Sequence, residues 1–189
     1  MSRSTAEERR RLQGLTREEL AAYQLDRFNA QLAALLRADP SLLASPRSKS
    51  TRGGAQTGEL DPDSSPVLRG FRDTLNAELR TVIAELKREG FANHPVMAWE
   101  SDRWTLRIWG TVLTPGGPQL PHLHPLAWLS GVYYVEVPPG LGNDGALEFG
   151  EPPPRINARV EPDRRQISVT PGRLVVFPSW FWHRTLPFA

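Results

Sequence analysis

The sequence contains no cysteine, so disulfide bonds, thiolate metal sites and cysteine nucleophiles are excluded. It has no apolar run that approaches the length of a membrane span, and its first residues are charged rather than apolar. We therefore expect a cytoplasmic protein that does not act at a membrane. A Gly-rich phosphate loop before a helix and a Gly-x-Ser-x-Gly motif are both missing, which argues against nucleotide-dependent and serine-hydrolase chemistry.

Proline and glycine are abundant, with 18 and 15 residues in a chain of 189. Such a composition is typical of a loop-rich, largely β domain with some irregular chain. The net charge is only +2, and the basic excess lies in residues 1–53, which hold ten Lys or Arg against six Asp or Glu. Because the remaining chain is slightly acidic, we predict no binding to nucleic acid.

An N-terminal helical segment is predicted over residues 1–40. Within it, Thr16 and Glu19 form a capping box that predicts the start of a helix over Arg17–Ala38, with apolar residues recurring at spacings of three and four. One isolated helix cannot bury this apolar stripe. We expect the stripe to be covered by the main domain, by a partner, or by missing helical repeats.

Two further segments complete the predicted organisation. Residues 41–64 are rich in Ser, Gly, Pro and charge, and they are predicted to form a flexible linker. Residues 65–189 are predicted to form the main domain. It opens with a second helix, for which Ser65 is the expected N-cap and Gly90 the expected end.

Short strands between turn residues follow the second helix. They are predicted over Trp104–Leu113, Leu129–Val137, Gly145–Phe149, Gln166–Thr170 and Arg173–Phe177. Several short strands without intervening helices indicate an antiparallel sandwich or barrel. The expected fold is therefore mainly β with flanking helices.

Three of the four histidines lie in two short segments that have the pattern of strand ends. His122 and His124 are spaced i, i+2, so their side chains would project from the same face of an extended chain. His183 follows an apolar strand and lies beside a cluster of aromatic residues. Together these three side chains predict a metal site with open coordination positions.

Each of these residues also has an interpretation without a metal. The first two histidines would then belong to a Pro-rich turn, and His183 would cap an aromatic core. Glu148, on a predicted strand, is the one acidic residue that we consider as an alternative ligand. A solvated strand face would explain Glu148 equally well.

Three segments carry a resemblance to a known family: residues 115–138, 145–152 and 171–188. In this order they closely resemble a bacterial family of 2-oxoglutarate/Fe(II)-dependent oxygenases, whose members often carry N-terminal helical repeats. The resemblance covers roughly residues 68–189. It implies a double-stranded β-helix (jelly roll), an iron site at its mouth, and 2-oxoglutarate as co-substrate.

The resemblance also assigns roles to the histidines. His122 matches the first ligand of the His-x-Asp/Glu motif of these oxygenases, and His183 matches their distal histidine. His124 stands where the motif has a carboxylate. Either a three-histidine site forms or Glu148 contributes instead, and a site with three nitrogen ligands also suits Zn(II) and other divalent ions.

In such oxygenases a basic residue about one strand beyond the distal histidine pairs with the far carboxylate of 2-oxoglutarate. The present sequence ends at Ala189, six residues after His183. We therefore expect a jelly roll that lacks its last strand and this basic residue. Tyr134, Trp109 and Arg107 are the residues that we expect to line the co-substrate pocket.

Two classes of function follow from the sequence. The first is an Fe(II)/2-oxoglutarate-dependent oxygenase that performs a hydroxylase-type oxidation with release of succinate and CO₂. The alternative is a truncated or diverged jelly roll that binds metal without turnover, or a cupin-like metal-binding barrel. The sequence does not identify the substrate, which would be a small molecule or a peptide.

Overall fold

The computed structural model describes residues 12–46, 49–157 and 159–189. In these residues two long helices accompany nine short strands, all paired antiparallel. The elements are α1 (Arg17–Ala38), β1 (Leu43–Ala44), β2 (Gly54–Gln56), α2 (Pro66–Arg88), β3 (Thr111–Leu113), β4 (Gln119–His122), β5 (Leu129–Tyr133), β6 (Leu147–Phe149), β7 (Arg165–Ile167), β8 (Leu174–Pro178) and β9 (His183–Thr185), with 3₁₀ helices at Phe91–Asn93 and Pro95–Trp99. The predicted mainly β fold with flanking helices is confirmed. The first eleven residues of the predicted segment 1–40 lie outside the described residues.

Both helices begin where their capping residues predict. At the start of α1, the Glu19 backbone N–H donates to Thr16 Oγ1 at 3.2 Å, and Thr16 N–H donates to Glu19 Oε2 at 2.8 Å. At the start of α2, Leu68 N–H donates to Ser65 Oγ at 3.1 Å. Gly90 follows α2 with a φ of 92°, the left-handed conformation that ends many helices.

The apolar stripe of α1 is covered within the chain. Its buried core cluster consists of Leu32, Leu60, Leu68 and Ile108. The Tyr133 ring of β5 packs on Phe71 of α2, and its hydroxyl donates to Asn29 Oδ1 of α1 at 2.7 Å. Each fully buried aliphatic side chain of this kind contributes roughly 1.5–3 kcal/mol. The described helices include none that is long and apolar enough to span a membrane.

The strands form three sheets. Their orders are β1-β2-β3, β4-β9-β6-β7 and β5-β8. Phe149 of β6 and Phe177 of β8 bring their ring centroids to 4.9 Å, so the four-stranded sheet and the two-stranded sheet face each other through their side chains. Tyr133 and its neighbours on the opposite face of β5 pack against the helices.

The segment over residues 41–64 differs from the predicted flexible linker. It contains β1 and β2, and β2 pairs with β3 so that Gln56 lies opposite Thr111. Upstream of β2, Thr51 forms a bridge with Gln119 of β4 and is fully buried. The described residues of the segment 41–64 are held mainly by backbone hydrogen bonds rather than by large apolar side chains. Because the segment lacks hydrophobic periodicity, its sequence predicts a linker.

The long strand predicted over Trp104–Leu113 is shorter in the structure. Only its last three residues belong to β3, although Ile108 forms an isolated bridge with Leu60. Before that point the chain is held through side chains, as in the hydrogen bond that Trp104 Nε1 donates to Asn76 Oδ1 of α2 at 2.8 Å. The alternation of apolar residues therefore reflects an extended segment packed on a helix.

The packing of residues 50–56 against the turn between β3 and β4 can be tested by substituting a glycine in that turn. A Cβ atom on Gly117 would lie 1.8 Å from the carbonyl oxygen of Gly53. Gly117→Ala should therefore force the two segments apart and lower the free energy of unfolding by roughly 1–3 kcal/mol, the usual cost of overpacking. Urea unfolding measures the change.

Gly70, inside α2, is the matched control, because an added Cβ there meets nothing within 4 Å. Gly70→Ala should stabilise the protein by about 0.5–1 kcal/mol, since Ala favours the helix. If Gly117→Ala unfolded at the same urea concentration as the wild type, the observed docking of the N-terminal segment would be contradicted.

Candidate metal centre

Strand register brings the three predicted histidines together. His122 lies opposite His183 in the β4–β9 pair, after a register shift between Gln119 and His122. His124 lies just beyond β4, where its backbone N–H donates to the Ser179 carbonyl at 2.9 Å. One ring nitrogen from each imidazole can be chosen so that all three lie within 4.8 Å of one another.

Hydrogen bonds to backbone carbonyls determine which ring nitrogen carries the proton in two of the imidazoles. His122 Nδ1 lies 2.8 Å from the Leu120 carbonyl oxygen, and His183 Nδ1 lies 2.9 Å from the Phe181 carbonyl oxygen. A carbonyl oxygen only accepts, so each Nδ1 must be the donor. Nε2 of both rings is then unprotonated and is the nitrogen available to a metal.

The surroundings keep the imidazoles neutral. His183 is only 3% exposed, and the Phe177 ring lies 4.6 Å from it between centroids. Burial lowers the pKa of His122, and burial followed by the charge of His122 lowers the pKa of His183 to about 4. The pKa of His124 is also lowered to about 4, first by burial and then by the charges of His122 and Lys49. At neutral pH all three lone pairs are therefore free to bind a cation.

The arrangement suits a divalent transition metal. Three neutral nitrogen donors on one side of an ion leave its other positions open to small ligands. Such a donor set accepts Fe(II) and also Zn(II). The His124 imidazole here occupies the position in which the expected motif has a carboxylate.

Glu148 is not turned toward this cluster. In the β6–β9 pair Glu148 lies opposite Arg184, whereas Phe149 lies opposite His183. Neighbouring residues of a strand project to opposite faces, so the Glu148 side chain lies on the other side of the sheet. There it accepts from Arg184 Nε at 2.6 Å and from Gln166 Nε2 at 2.7 Å. The alternative in which Glu148 completes the ligand set therefore disagrees with the structure.

Two of the predicted pocket residues lie in different surroundings. The Trp109 ring contacts the His124 ring, with centroids 5.5 Å apart, and is 41% exposed. Trp109 thus lies at the edge of the site. Arg107 instead forms a surface ion pair with Glu59, at 2.7 Å between Nη2 and Oε2. Arg107 is therefore paired with Glu59, and none of the described contacts joins it to the imidazoles.

The third predicted pocket residue, Tyr134, has a buried hydroxyl without a hydrogen-bond partner among the described residues. Burial raises the pKa of this phenol. Tyr133 points to the helices, so Tyr134 projects to the opposite face, as does Ser130. That face is the one turned to the sheet that carries His122 and His183, because Ser130 lies opposite Phe177, whose ring contacts His183.

The sequence analysis did not identify the contribution of the N-terminal segment to the site. Ser50 Oγ lies 3.4 Å from His122 Nε2, and the Ser50 carbonyl accepts from the backbone N–H of Leu120 at 2.9 Å. Lys49 is close enough for its charge to act on His124. No local pattern could have revealed these contacts, since about 70 residues separate the partners in the sequence.

The fold and the imidazole cluster define the class: a jelly-roll protein with a cluster of three imidazoles that could hold a metal ion. Residues 107–189 match the family model described as "Putative 2OG-Fe(II) oxygenase". This part of the chain is therefore similar to that family, which confirms the predicted resemblance over residues 107–189. The family implies Fe(II) and 2-oxoglutarate as cofactors, with which the three-histidine cluster is compatible.

A comparison with solved structures gives the same fold. A prolyl-4-hydroxylase from Pseudomonas putida matches with a TM-score of 0.54 and 19% sequence identity, over 87% of this chain and 80% of that chain. Similarity at this level of identity shows the fold and confirms the predicted jelly roll. A search of curated proteins finds no match.

The assignment of the metal ligands can be tested by substitution. His122→Ala should weaken the binding of Co(II) by at least about tenfold, because it removes a donor nitrogen. Glu148→Gln should leave the Co(II) affinity nearly unchanged, because that side chain lies on the opposite face of the sheet. Titration with Co(II), followed by visible absorption, measures both.

His94→Ala is the control for histidine content, since His94 caps a 3₁₀ helix and lies outside the cluster. Its Co(II) affinity should equal that of the wild type. A loss of affinity in Glu148→Gln as large as that in His122→Ala would contradict the three-histidine site.

Proposed function

We propose that this protein is an Fe(II)/2-oxoglutarate-dependent oxygenase that performs a hydroxylase-type oxidation of a substrate C–H bond. The observation that carries the proposal is the cluster of three neutral imidazoles inside a region similar to the 2OG-Fe(II) oxygenase family. Bound Fe(II) and 2-oxoglutarate would supply the chemistry: O₂ is the oxidant, one of its oxygen atoms enters succinate as CO₂ is released, and the other hydroxylates the substrate.

The residues of the chain would hold and shield this chemistry. His122 and His183 would bind the metal through Nε2, because their Nδ1–H groups are committed to backbone carbonyls. These same hydrogen bonds fix the orientation of the rings and raise their basicity as ligands. Phe149 and Phe177 form an apolar wall beside His183, which keeps water away from that side of the site.

Tyr134 would bind the distal carboxylate of 2-oxoglutarate. Its hydroxyl is buried and lacks a partner in the described residues, and an unsatisfied buried donor costs about 1–3 kcal/mol. A carboxylate oxygen would satisfy it with a charge-assisted hydrogen bond. Trp109, in contact with His124 and partly exposed, would flank the entrance to the site.

A metal-binding jelly roll without turnover is the second candidate. Two observations favour it. An imidazole, His124, occupies the position of the expected carboxylate ligand, and the guanidinium of Arg184 is engaged by Glu148 on the far face of the sheet and so is not available to a co-substrate.

The assay that separates the two candidates measures succinate. After anaerobic reconstitution with Fe(II), the protein supplied with 2-oxoglutarate and O₂ should form succinate, and His183→Ala should abolish it because a metal ligand is lost. His94→Ala should retain the wild-type rate. Metal binding by the wild type without any succinate would reject the oxygenase and support the second candidate.

Two adjacent tyrosines allow a matched test of the co-substrate site. Tyr134→Phe should raise KM for 2-oxoglutarate by about tenfold, the typical effect of losing a hydrogen bond to a charged group. It should not lower stability, because the hydroxyl has no hydrogen-bond partner to lose among the described residues. The rate of succinate formation against 2-oxoglutarate concentration gives KM.

Tyr133→Phe carries the same chemical change on the opposite face of β5. It should leave KM unchanged and lower the free energy of unfolding by about 1 kcal/mol, since the hydrogen bond to Asn29 is lost. Equal KM values for the two variants would show that Tyr134 does not bind the co-substrate.

A further inference from the structure

The ligand set of the metal centre carries no negative charge. Among the described residues, the only group of three or more metal-binding side chains is His122, His124 and His183, and it includes no carboxylate. Glu148, on the strand next to His183, is committed to Arg184 on the opposite face. A divalent ion bound by three neutral imidazoles therefore keeps its full charge of +2.

Among the residues that the structure describes, no carboxylate acts on the three imidazoles to compensate that charge. The wall beside His183 is formed by the rings of Phe149 and Phe177, which are apolar. The charged group that acts on His124 from outside the cluster is a cation, Lys49. A partly buried divalent charge without an anionic partner is costly, because desolvation is not offset by an opposite charge.

We propose that this site binds its metal and a dianionic 2-oxo acid cooperatively, with the co-substrate supplying the negative charge that a protein carboxylate would otherwise supply. The inference rests on the proposed function and extends it to how strongly the metal and the co-substrate favour each other's binding. The metal alone binds weakly, and chelation by the 2-oxo acid strengthens its binding. Because coupling between two binding events is reciprocal, the metal strengthens the binding of the 2-oxo acid by the same factor.

The test compares the wild type with His124→Asp, which restores a carboxylate to the ligand set. Each protein is titrated with Co(II), with and without saturating 2-oxoglutarate, and the dissociation constant is read from the visible spectrum. In the wild type 2-oxoglutarate should tighten Co(II) binding by at least about tenfold, within the usual range of coupling. His124→Asp should bind Co(II) more tightly without 2-oxoglutarate and should show a smaller tightening when it is added.

Succinate is the control ligand, because it has the same charge but lacks the 2-oxo group needed for chelation. It should produce little tightening in either protein. An equal effect of succinate and 2-oxoglutarate, or an equal effect of 2-oxoglutarate on both proteins, would overturn the inference.

Lys49→Glu provides a second variant that changes no ligand, so the test does not depend on the folding of His124→Asp. Lys49 is exposed, and the substitution places a negative charge where a positive one now acts on His124. Co(II) binding without 2-oxoglutarate should strengthen, and the tightening by 2-oxoglutarate should shrink, both by less than in His124→Asp. An unchanged coupling in Lys49→Glu as well as in His124→Asp would reject the charge argument.

These experiments distinguish a failure of this inference from a failure of the proposed function. If the wild type forms succinate but 2-oxoglutarate tightens Co(II) binding equally in all variants, only the inference fails. If the wild type binds no Co(II) under either condition and forms no succinate, the proposed function fails and the inference fails with it.

Discussion

The pairing of β9 with both β4 and β6 is the constraint on which the metal centre depends. On one side it places His183 opposite His122, and on the other it places His183 opposite Phe149 and Arg184 opposite Glu148. A slip of one residue would exchange the faces of His183 and Arg184, because side chains alternate along a strand. The guanidinium would then enter the cluster, and the imidazole would lie beside the buried carboxylate. In the observed register the ion pair of Glu148 and Arg184 and the imidazole cluster therefore lie on opposite faces of the sheet.

A chain of buried and half-buried polar side chains supports the same register on the face of β9 that carries His183. Thr185 Oγ1 donates to Gln119 Oε1 at 3.1 Å, the Gln119 amide donates to Thr51 Oγ1 at 3.4 Å, and Thr51 Oγ1 donates to Gln56 Oε1 at 2.9 Å. Connected networks of this kind specify one arrangement of strands, because a displaced partner leaves a buried polar group unsatisfied. The strand that carries His183 is in this way tied to the segment before β2.

Local features of the sequence predicted local features of the structure. The caps at Thr16 and Ser65 marked the helix starts, and the i, i+2 spacing of His122 and His124 indicated a shared site, because each depends on neighbours within four residues. The face of Glu148 could not be predicted, since it depends on the register of β6 against β9. The role of residues 41–64 was missed for a related reason. Its partners are backbone groups about 50 to 70 residues away in the sequence, and local composition does not reveal such pairing.

The segment around Thr51 also bears on how the molecule acquires its site. The family match begins at residue 107, yet the backbone that borders β4 comes from around Thr51, which forms an isolated bridge with Gln119 and precedes α2 in the sequence. Bringing residue 51 next to β4 closes a long loop, which costs chain entropy. Contacts between segments so far apart in the sequence slow folding. The imidazoles thus come to lie in a unit that is discontinuous along the sequence. A peptide beginning at residue 107 would retain all three clustered histidines, but its β4 would be an open sheet edge.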